Sequence, residues 1–369
     1  MPKWGMAMAQ GEVVDWLVQE GAHVEAGDEL LEIETEKTVN ILEAADPGRL
    51  SRMVARPGDK LPVGALLGVI TKGDVEDRVI DTFVQKFQEH FVPEEVADEV
   101  DTTPLMADVQ GRSVAYRTYE SRNGAKGIPL LLIHGFGGAQ ESWAFLASEL
   151  SRDHNVYTLD LPGHGASEKD VGEGTLSFFA GTIAGLLDEI AESRVHIVGH
   201  SLGAAVAVGF SVQFPERAAS LTLISGAGAG TRVDRAFIEG FISANRRRQL
   251  KPFMLQLFMN RDLVTRSMIE DTLNAKRLEG VEESLKLIAE QSVFAVEGID
   301  PNEALAGISM PVQVIWGEED RIASAAHVKS LPPAIKATMI GNAGHMVHIE
   351  AASRVNQLIS EFIETAGER

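Results

Sequence analysis

The sequence predicts a small all-β domain followed by a larger α/β domain with a mostly parallel, doubly wound sheet. Residues 1–73 are short apolar segments separated by glycines, which is typical of short strands and turns. From about Leu105 onward, near-continuous apolar runs alternate with helical stretches, as expected when helices connect buried parallel strands. We therefore expect a β domain at 1–73, an acidic helical linker at 74–104, and the α/β domain at 105–369.

Composition limits the classes of function. The chain has 369 residues, a formal net charge of −21 and no cysteine. The negative charge argues against nucleic acid or an anionic membrane as a partner. The lack of cysteine excludes disulfides, thiolate nucleophiles and cysteine-based metal sites, and no other metal site is predicted. Residues 1–6 lack the apolar core of a signal peptide and no apolar run could cross a bilayer, so we expect a cytoplasmic protein.

The β domain contains an internal repeat. Five residues of its first half recur 37 positions later: Gly21, Val24, Gly27, Leu30 and Ile33 match Gly58, Leu61, Gly64, Leu67 and Ile70. This pattern indicates two similar halves, each burying its apolar face against the other. Lys37 follows the first half at the position where Asp74 follows the second, so we predict that it lies in an exposed turn.

Residues 1–72 resemble a lipoyl domain of the 2-oxo-acid dehydrogenase type. The similarity includes residues 1–6, Gly11, 20–21, 27–28, 34–38 and 45–48. The resemblance implies that a lipoate ligase attaches lipoate to Lys37. Biotin carriers share this fold but have Ala-Met-Lys-Met at that point, and Glu36-Lys37-Thr38 departs from it. Lipoate is therefore favoured, with biotin as the alternative.

The linker contains one amphipathic helix. Residues 74–101 carry ten acidic residues against Arg78 and Lys86, a net charge of −8. Within them an apolar residue recurs every fourth position, at Val79, Phe83, Phe87 and Phe91. We expect this face to pack on the catalytic domain; the alternative is an exposed stripe for a partner or a second copy. The linker does not resemble the subunit-binding domain that usually follows lipoyl domains.

A nucleophile is predicted in the α/β domain. The expected strands lie at 130–133, 156–159, 195–198, 221–224 and 312–316, with a helical stretch at 176–191. The third strand runs into Gly199-His200-Ser201-Leu202-Gly203 and then into an alanine-rich helix. Gly-x-Ser-x-Gly between a strand and a helix places a serine at a tight turn beside a helix N-terminus. With residues 160–167, this segment resembles the α/β-hydrolase family over 105–366.

That resemblance implies a catalytic triad of Ser201, Asp320 and His345. A serine needs a base, and the base needs a group that orients it. The family's chain order and its Gly-x-x-Asp spacing from Gly317 favour Asp320 over Glu318 and Glu319, which we interpret as solvated. We assign structural or positioning roles to four other histidines: His134, His164, His200 and His348.

The oxyanion hole and the lid also follow from the resemblance. The backbone N–H groups of Phe136 and Leu202 are expected to bind the oxyanion. Residues 230–306 are expected to form a helical lid over the site. A basic cluster in it, Arg246, Arg247, Arg248 and Lys251, could contact the phosphates of coenzyme A, although a solvated helix face is the more common role of such a cluster.

The two domains together resemble the dihydrolipoamide acetyltransferase subunits of acetoin dehydrogenase complexes, in the variant with a hydrolase-like C-terminal domain. The resemblance implies transfer of an acetyl group from dihydrolipoyl-Lys37 to coenzyme A in acetoin breakdown. It also implies a thiamine-diphosphate-dependent acetoin-cleaving enzyme and dihydrolipoamide dehydrogenase as partners, and leaves a homo-oligomer open. None of the ten histidines has the His-x-x-x-Asp motif of the usual lipoyl acyltransferases, so the transfer would use the serine triad.

Three alternatives stay open at this point. The same triad would act as a thioesterase or esterase, releasing the free acid, if water reached the acyl-serine. The hydrolase domain could be a scaffold for a non-enzymatic carrier, or the carrier could hold biotin.

Overall fold

The computed structural model describes residues 1–2, 10–35, 39–73, 75–91, 103–125, 127–226, 233–295, 301–305, 307–333 and 335–367. Lys37 lies outside these ranges. The chain divides into two compact units, Met1–Val100 and Asp101–Arg369.

The N-terminal unit contains two antiparallel sheets. One has the order β4-β3-β1-β6 and the other the order β2-β5-β7. The strands are β1 Gln10–Trp16, β2 His23–Val24, β3 Glu29–Glu34, β4 Val39–Glu43, β5 Gly48–Met53, β6 Lys60–Pro62 and β7 Gly68–Thr71. Val13, Leu31 and Ile33 are fully buried in the core of this unit. The small all-β domain predicted from the sequence is confirmed.

The internal repeat corresponds to a structural repeat. Gly21 and Gly58 have φ angles of +93° and +88°, a region that side chains other than hydrogen rarely adopt. The Gly21 N–H donates to the Leu50 carbonyl, and the Gly58 N–H donates to the Val13 carbonyl. The two donors, Gly21 and Gly58, are 37 positions apart, and so are the two acceptors, Val13 and Leu50. The two hydrogen bonds are therefore equivalent under one pseudo-twofold relation.

The strands that flank Lys37 form an antiparallel pair. Strand β3 ends at Glu34 and β4 begins at Val39, and these two residues lie opposite each other in the register.

Helix α1, Asp77–His90, belongs to the N-terminal unit. Ile80 is 3% exposed, and the Asp81 carboxylate lies 2.8 Å from the Arg52 guanidinium of β5. The buried face of α1 therefore packs on the N-terminal unit, and the expectation that this face packs on the catalytic domain is wrong. The spacing of apolar residues indicates that a helix has a buried face, but it does not identify the surface that covers this face. Val79 and Phe83 are 54% and 51% exposed, which leaves the alternative of a partner surface open.

The C-terminal unit is built on one eight-stranded sheet of order β15-β14-β13-β12-β10-β11-β9-β8. Its strands are β8 Leu105–Val109, β9 Arg112–Tyr119, β10 Leu130–Ile133, β11 Val156–Leu159, β12 Val195–His200, β13 Ala218–Ile224, β14 Val312–Gly317 and β15 Lys336–Ile340. The six strands β10 to β15 pair with one another in parallel. Strand β9 pairs antiparallel with both β11 and β8. The predicted sheet is confirmed, with an additional hairpin at one edge.

Helices cover both faces of this sheet. They are α2 Ala144–Leu150, α3 Leu176–Glu189, α4 Leu202–Gln213, α5 Arg235–Ser243, α6 Arg247–Leu257, α7 Arg266–Lys276, α8 Val281–Ile288, α9 Pro301–Leu305, α10 Val347–Glu350 and α11 Ala352–Gly367. Leu131 and Ile133 of β10 pack in one core, whereas Leu130 and Leu132 pack in the other. Helices α5 to α9 lie between β13 and β14 in the chain, where the lid was predicted. No described helix is long and apolar enough to span a bilayer.

Gly203 is essential to the packing of α4 against β10. A Cβ atom there would overlap the Ile133 carbonyl oxygen and lie 2.7 Å from the His134 carbonyl oxygen. Both obstacles are backbone atoms, which cannot rotate away as a side chain can.

We expect Gly203→Ala to lower the free energy of unfolding by about 3 kcal/mol, because overpacking against backbone cannot be relieved locally. Gly209→Ala, in the same helix, is the control: its Cβ would meet ordinary contacts of 3.5 Å or more. That control should gain up to about 1 kcal/mol from helix propensity. Urea unfolding followed by tryptophan fluorescence measures both, and equal effects of the two substitutions would contradict this account.

Candidate active site

Ser201 occupies a sharp turn between β12 and α4. Its φ and ψ are 53° and −113°, a conformation that is unfavourable for a residue with a side chain. The turn is held by a hydrogen bond from the Ser201 N–H to the Ile224 carbonyl (2.9 Å). A Cβ atom on Gly199 would overlap the Gly203 carbonyl oxygen, and one on Gly203 would overlap the Ile133 carbonyl oxygen of β10, so neither glycine of the motif can carry a side chain here. The strained serine is partly exposed, as a nucleophile has to be.

Asp320 and His345 form a buried pair. The His345 Nδ1 lies 2.8 Å from the Asp320 Oδ2, and their side chains are 4% and 0% exposed, respectively. The same Oδ2 accepts from the Trp316 Nε1 (3.0 Å). The Oδ1 accepts from the N–H groups of Ile322 and Ala323 (2.8 and 2.9 Å). A carboxylate fixed by three other donors can hold the imidazole in one orientation and leave its Nε2 for proton transfer.

The two glutamates before Asp320 differ from each other. Glu318 is exposed, as expected, but Glu319 is half-buried. Its Oε2 accepts a hydrogen bond from the Ala343 N–H (3.1 Å) in the loop that carries His345. The expectation that Glu319 is a solvated charge is therefore wrong, because the sequence does not reveal this contact across 24 positions.

His200 connects the serine turn to the histidine loop. Its Nε2 donates to the His345 carbonyl (3.0 Å), and it directly precedes Ser201. Burial lowers the pKa of His200 well below its usual value, so the ring is neutral. Among the described residues, the Ser201 hydroxyl has no hydrogen-bond partner. Catalytic hydrogen bonds to a serine commonly form or shorten only when substrate is bound.

The loop after β10 runs beside Ser201. A Cβ atom built on Gly135 would lie 3.2 Å from the Ser201 Cβ. The next N–H in the chain, that of Phe136, has no acceptor within the described ranges, and the same holds for the Leu202 N–H. Two unpaired backbone donors beside a serine can bind an oxyanion.

Two buried histidines hold this loop in place. The His134 Nδ1 donates to the Gly135 carbonyl (2.8 Å), and its Nε2 accepts from the Leu161 N–H (3.0 Å). The His164 Nε2 accepts from the Gly137 N–H (3.1 Å). Burial lowers the pKa of His164 to about 3, which keeps its ring neutral and able to accept.

The lid contacts both loops of the site. The Phe241 ring of α5 lies against Gly137, 2.5 Å from where a Cβ atom would stand. On the other side, Glu350 accepts from the Gly344 N–H (2.6 Å) and from the Asn260 N–H (2.8 Å). Sequence reasoning missed Glu350, since nothing in its local pattern distinguishes it from a helix surface residue.

Helix α6 begins with the basic cluster. Arg246, Arg247, Arg248 and Lys251 are all exposed at the N-terminal end of this helix. In the part of the chain that the structure describes, no group of three His, Cys, Asp or Glu side chains is arranged to hold a metal ion.

His348 lies behind the site. It is fully buried, its ring contacts those of Trp143 and His200 (centroids 4.6 and 4.4 Å apart), and neither ring nitrogen bonds to any residue that the structure describes. Burial lowers the pKa of His348 to about 3. It acts as a neutral packing group.

This burial makes the protein sensitive to acid. Between pH 6.5 and 3 the unfolded chain protonates His348 while the folded protein does not, so the free energy of unfolding falls as the pH falls, by up to about 1.4 kcal/mol per pH unit from this one group. We expect His348→Phe to reduce the slope of stability against pH between 6 and 4 and to change stability little at pH 7. Urea unfolding across this pH range tests the prediction, and an unchanged slope would contradict it.

Comparisons with known proteins agree with this architecture. Residues 1–70 match the family described as biotin-requiring enzymes, and residues 130–358 match the alpha/beta hydrolase family. A meta-cleavage product hydrolase from Pseudomonas fluorescens superposes with a TM-score of 0.64 at 21% identity, covering 72% of this chain and 98% of that one. A bromoperoxidase from Bacillus anthracis gives 0.60 at 19% identity, covering 71% and 100%. These structural similarities establish the fold alone.

Two relatives match both units together. The dihydrolipoyllysine-residue acetyltransferase component of the acetoin cleaving system from Pseudomonas putida is 42% identical over 366 residues, covering 98% of this chain and 97% of that protein. The protein of the same name from Cupriavidus necator is 40% identical over 367 residues, covering 98% and 96%. The chain therefore belongs to the family of dihydrolipoyllysine-residue acetyltransferase components of acetoin cleaving systems.

Proposed function

We propose that this protein transfers an acetyl group from a lipoyl thioester to coenzyme A through an acetyl-Ser201 intermediate. The main support is the buried Asp320–His345 pair beside the strained Ser201, on the same chain as a lipoyl-type domain. In this proposal the lipoyl-type domain carries the acetyl group, and the α/β domain catalyses its transfer.

Lys37 is the proposed attachment point of lipoate. Residues 1–70 contain three lysines: Lys3, Lys37 and Lys60. Lys60 lies within β6 and forms an ion pair with Glu12 (3.4 Å). In the sequence, Lys37 lies between Glu34 at the end of β3 and Val39 at the start of β4, two residues that are paired in the register. Lipoate bound there supplies the thiol on which the acetyl group is carried.

In the first half-reaction, His345 Nε2 takes the proton of the Ser201 hydroxyl, and the oxygen attacks the acetyl thioester carbon. The N–H groups of Phe136 and Leu202 stabilise the oxyanion of the tetrahedral intermediate. As this intermediate collapses, the carbon–sulfur bond breaks, the leaving sulfur takes the proton from His345, and acetyl-Ser201 remains.

In the second half-reaction, the thiol of coenzyme A gives its proton to His345, and its sulfur attacks the acetyl-Ser201 carbon. The same two N–H groups hold the new oxyanion. The carbon–oxygen bond to Ser201 then breaks, the serine oxygen takes the proton back from His345, and acetyl-CoA leaves. No electrons are gained or lost in either half.

The lid supports transfer to a thiol in preference to water. Phe136 and Phe241 pack with their ring centroids 6.3 Å apart, and Phe241 lies directly on the oxyanion loop. An apolar cover limits access of water to acetyl-Ser201, whereas a bound thiol is held beside it.

The chemistry also specifies partners. Another enzyme must place the acetyl group on the lipoyl arm, and we propose a thiamine-diphosphate-dependent acetoin-cleaving enzyme for this step. The dithiol left after transfer must be reoxidised, which is the reaction of dihydrolipoamide dehydrogenase. A lipoate ligase must modify Lys37.

The test supplies free acetyl-dihydrolipoamide and coenzyme A and quantifies acetyl-CoA and acetate separately. We expect the wild-type protein to form acetyl-CoA, and Ser201→Ala to lower that rate roughly a thousandfold or more, because the nucleophile is lost. Lys37→Arg should keep the wild-type rate with this free donor, since the donor bypasses the arm. Ser201-dependent acetate without acetyl-CoA would instead indicate a thioesterase.

A further inference from the structure

We propose that the basic cluster at the start of α6, namely Arg246, Arg247, Arg248 and Lys251, binds the phosphate groups of coenzyme A. This inference rests on the proposed function, because it assigns a binding site to the acceptor of the acetyl group. In a protein with a net charge of −21, the cluster places four cationic side chains within six residues of sequence.

The cluster is electrostatically unfavourable without a bound anion. Its cations stand at the N-terminal end of a helix, which is already the positive end of the helix dipole. Arg247 and Arg248 lie four and three positions before Lys251, so like charges are neighbours on the helix surface. The first turn has no acidic residue and no side-chain cap, and within the described ranges none of the four side chains forms an ion pair.

A phosphate would relieve each of these costs. Free N–H groups of the first helical turn donate to phosphate oxygens, and guanidinium groups bind phosphate through paired hydrogen bonds. Coenzyme A carries three phosphate groups, which match several cations better than a single anion does.

The opposite end of α6 lies at the catalytic histidine. The Leu257 carbonyl accepts a hydrogen bond from the Met346 N–H (3.1 Å), and Met346 directly follows His345. A Cβ atom on Gly344 would lie 3.0 Å from that same carbonyl oxygen. The helix therefore joins the basic cluster to the loop that carries the general base.

The length of the helix fits the ligand. Eleven residues at 1.5 Å each make α6 about 16 Å long. About 13 bonds separate the thiol sulfur of coenzyme A from its pyrophosphate, and an extended chain of such bonds spans about 16 Å. With the phosphates on the cluster, the pantetheine arm can follow α6 and bring the thiol to His345.

The packing of the lid keeps α6 in this position. The Phe253 ring of α6 lies 6.0 Å from the Phe237 ring of α5, and it fills the space beside Gly240. Since α5 also places Phe241 on the loop after β10, the packing of α5 against α6 holds α6 beside the site.

The test compares two acceptors that share the same thiol arm: coenzyme A, and pantetheine, which has no phosphate. The donor is free acetyl-dihydrolipoamide. In a variant with Arg246→Gln, Arg247→Gln, Arg248→Gln and Lys251→Gln, we expect KM for coenzyme A to rise about tenfold or more with kcat unchanged, because charge-assisted hydrogen bonds are lost. KM for pantetheine should stay at its wild-type value.

A control variant carries the same change of charge on exposed side chains outside the lid: Arg152→Gln, Arg194→Gln, Lys336→Gln and Arg354→Gln. It should keep the wild-type KM for both acceptors. An unchanged KM for coenzyme A in the cluster variant would overturn the proposal, and so would an equal rise for the two acceptors.

Calorimetric titration with coenzyme A separates this inference from the proposed function. Binding that weakens in the cluster variant, but not in the control variant, supports the phosphate site even if the wild-type protein forms no acetyl-CoA. Acetyl-CoA formation with no difference between the two variants would support the proposed function and refute the phosphate site.

Discussion

The strained turn at Ser201 is the constraint on which the rest of the catalytic unit depends. The serine has a φ of 53°, a backbone conformation that is unfavourable for a residue with a side chain, and the glycines two positions before and after it lie too close to the backbones of α4 and β10 to carry a Cβ atom. These close contacts bring the start of α4 against the end of β10 and the loop that follows it. The proposed oxyanion donors, the N–H groups of Phe136 and Leu202, lie next to this turn in the chain or beside it, and His200 joins the turn to the loop that carries His345.

Neutral histidines support this turn. His134 and His164 hold the oxyanion loop, and His200 links the serine to the backbone of His345. Burial lowers the pKa of each of these three rings, so each can present one donor and one acceptor at neutral pH. An imidazole nitrogen can accept a hydrogen bond from an N–H group only when the ring is neutral. Burial favours this role because it lowers the pKa of the ring. The Nδ1 of His345, by contrast, faces the Asp320 carboxylate.

Sequence patterns predicted those features that depend on local order. Strands β10 and β11 fall on the predicted residues because both of their faces are buried and their apolar runs are continuous. The β8–β9 hairpin was not predicted, since Leu105 and Met106 are exposed and the runs are broken. Glu319 and Glu350 could not be predicted, because each acts through a loop distant in sequence. The Asp320–His345 contact was inferred from family resemblance, and its hydrogen bonds only became visible in three dimensions.

The central claim is that the acetyl group passes through Ser201. The most direct measurement incubates the full-length protein with acetyl-dihydrolipoamide without coenzyme A, digests it, and locates the acetyl group by mass spectrometry. We expect acetylation of the peptide that contains Ser201, and loss of that label when coenzyme A is added. Normal formation of acetyl-CoA by Ser201→Ala, with no label on that peptide in the wild-type protein, would contradict it.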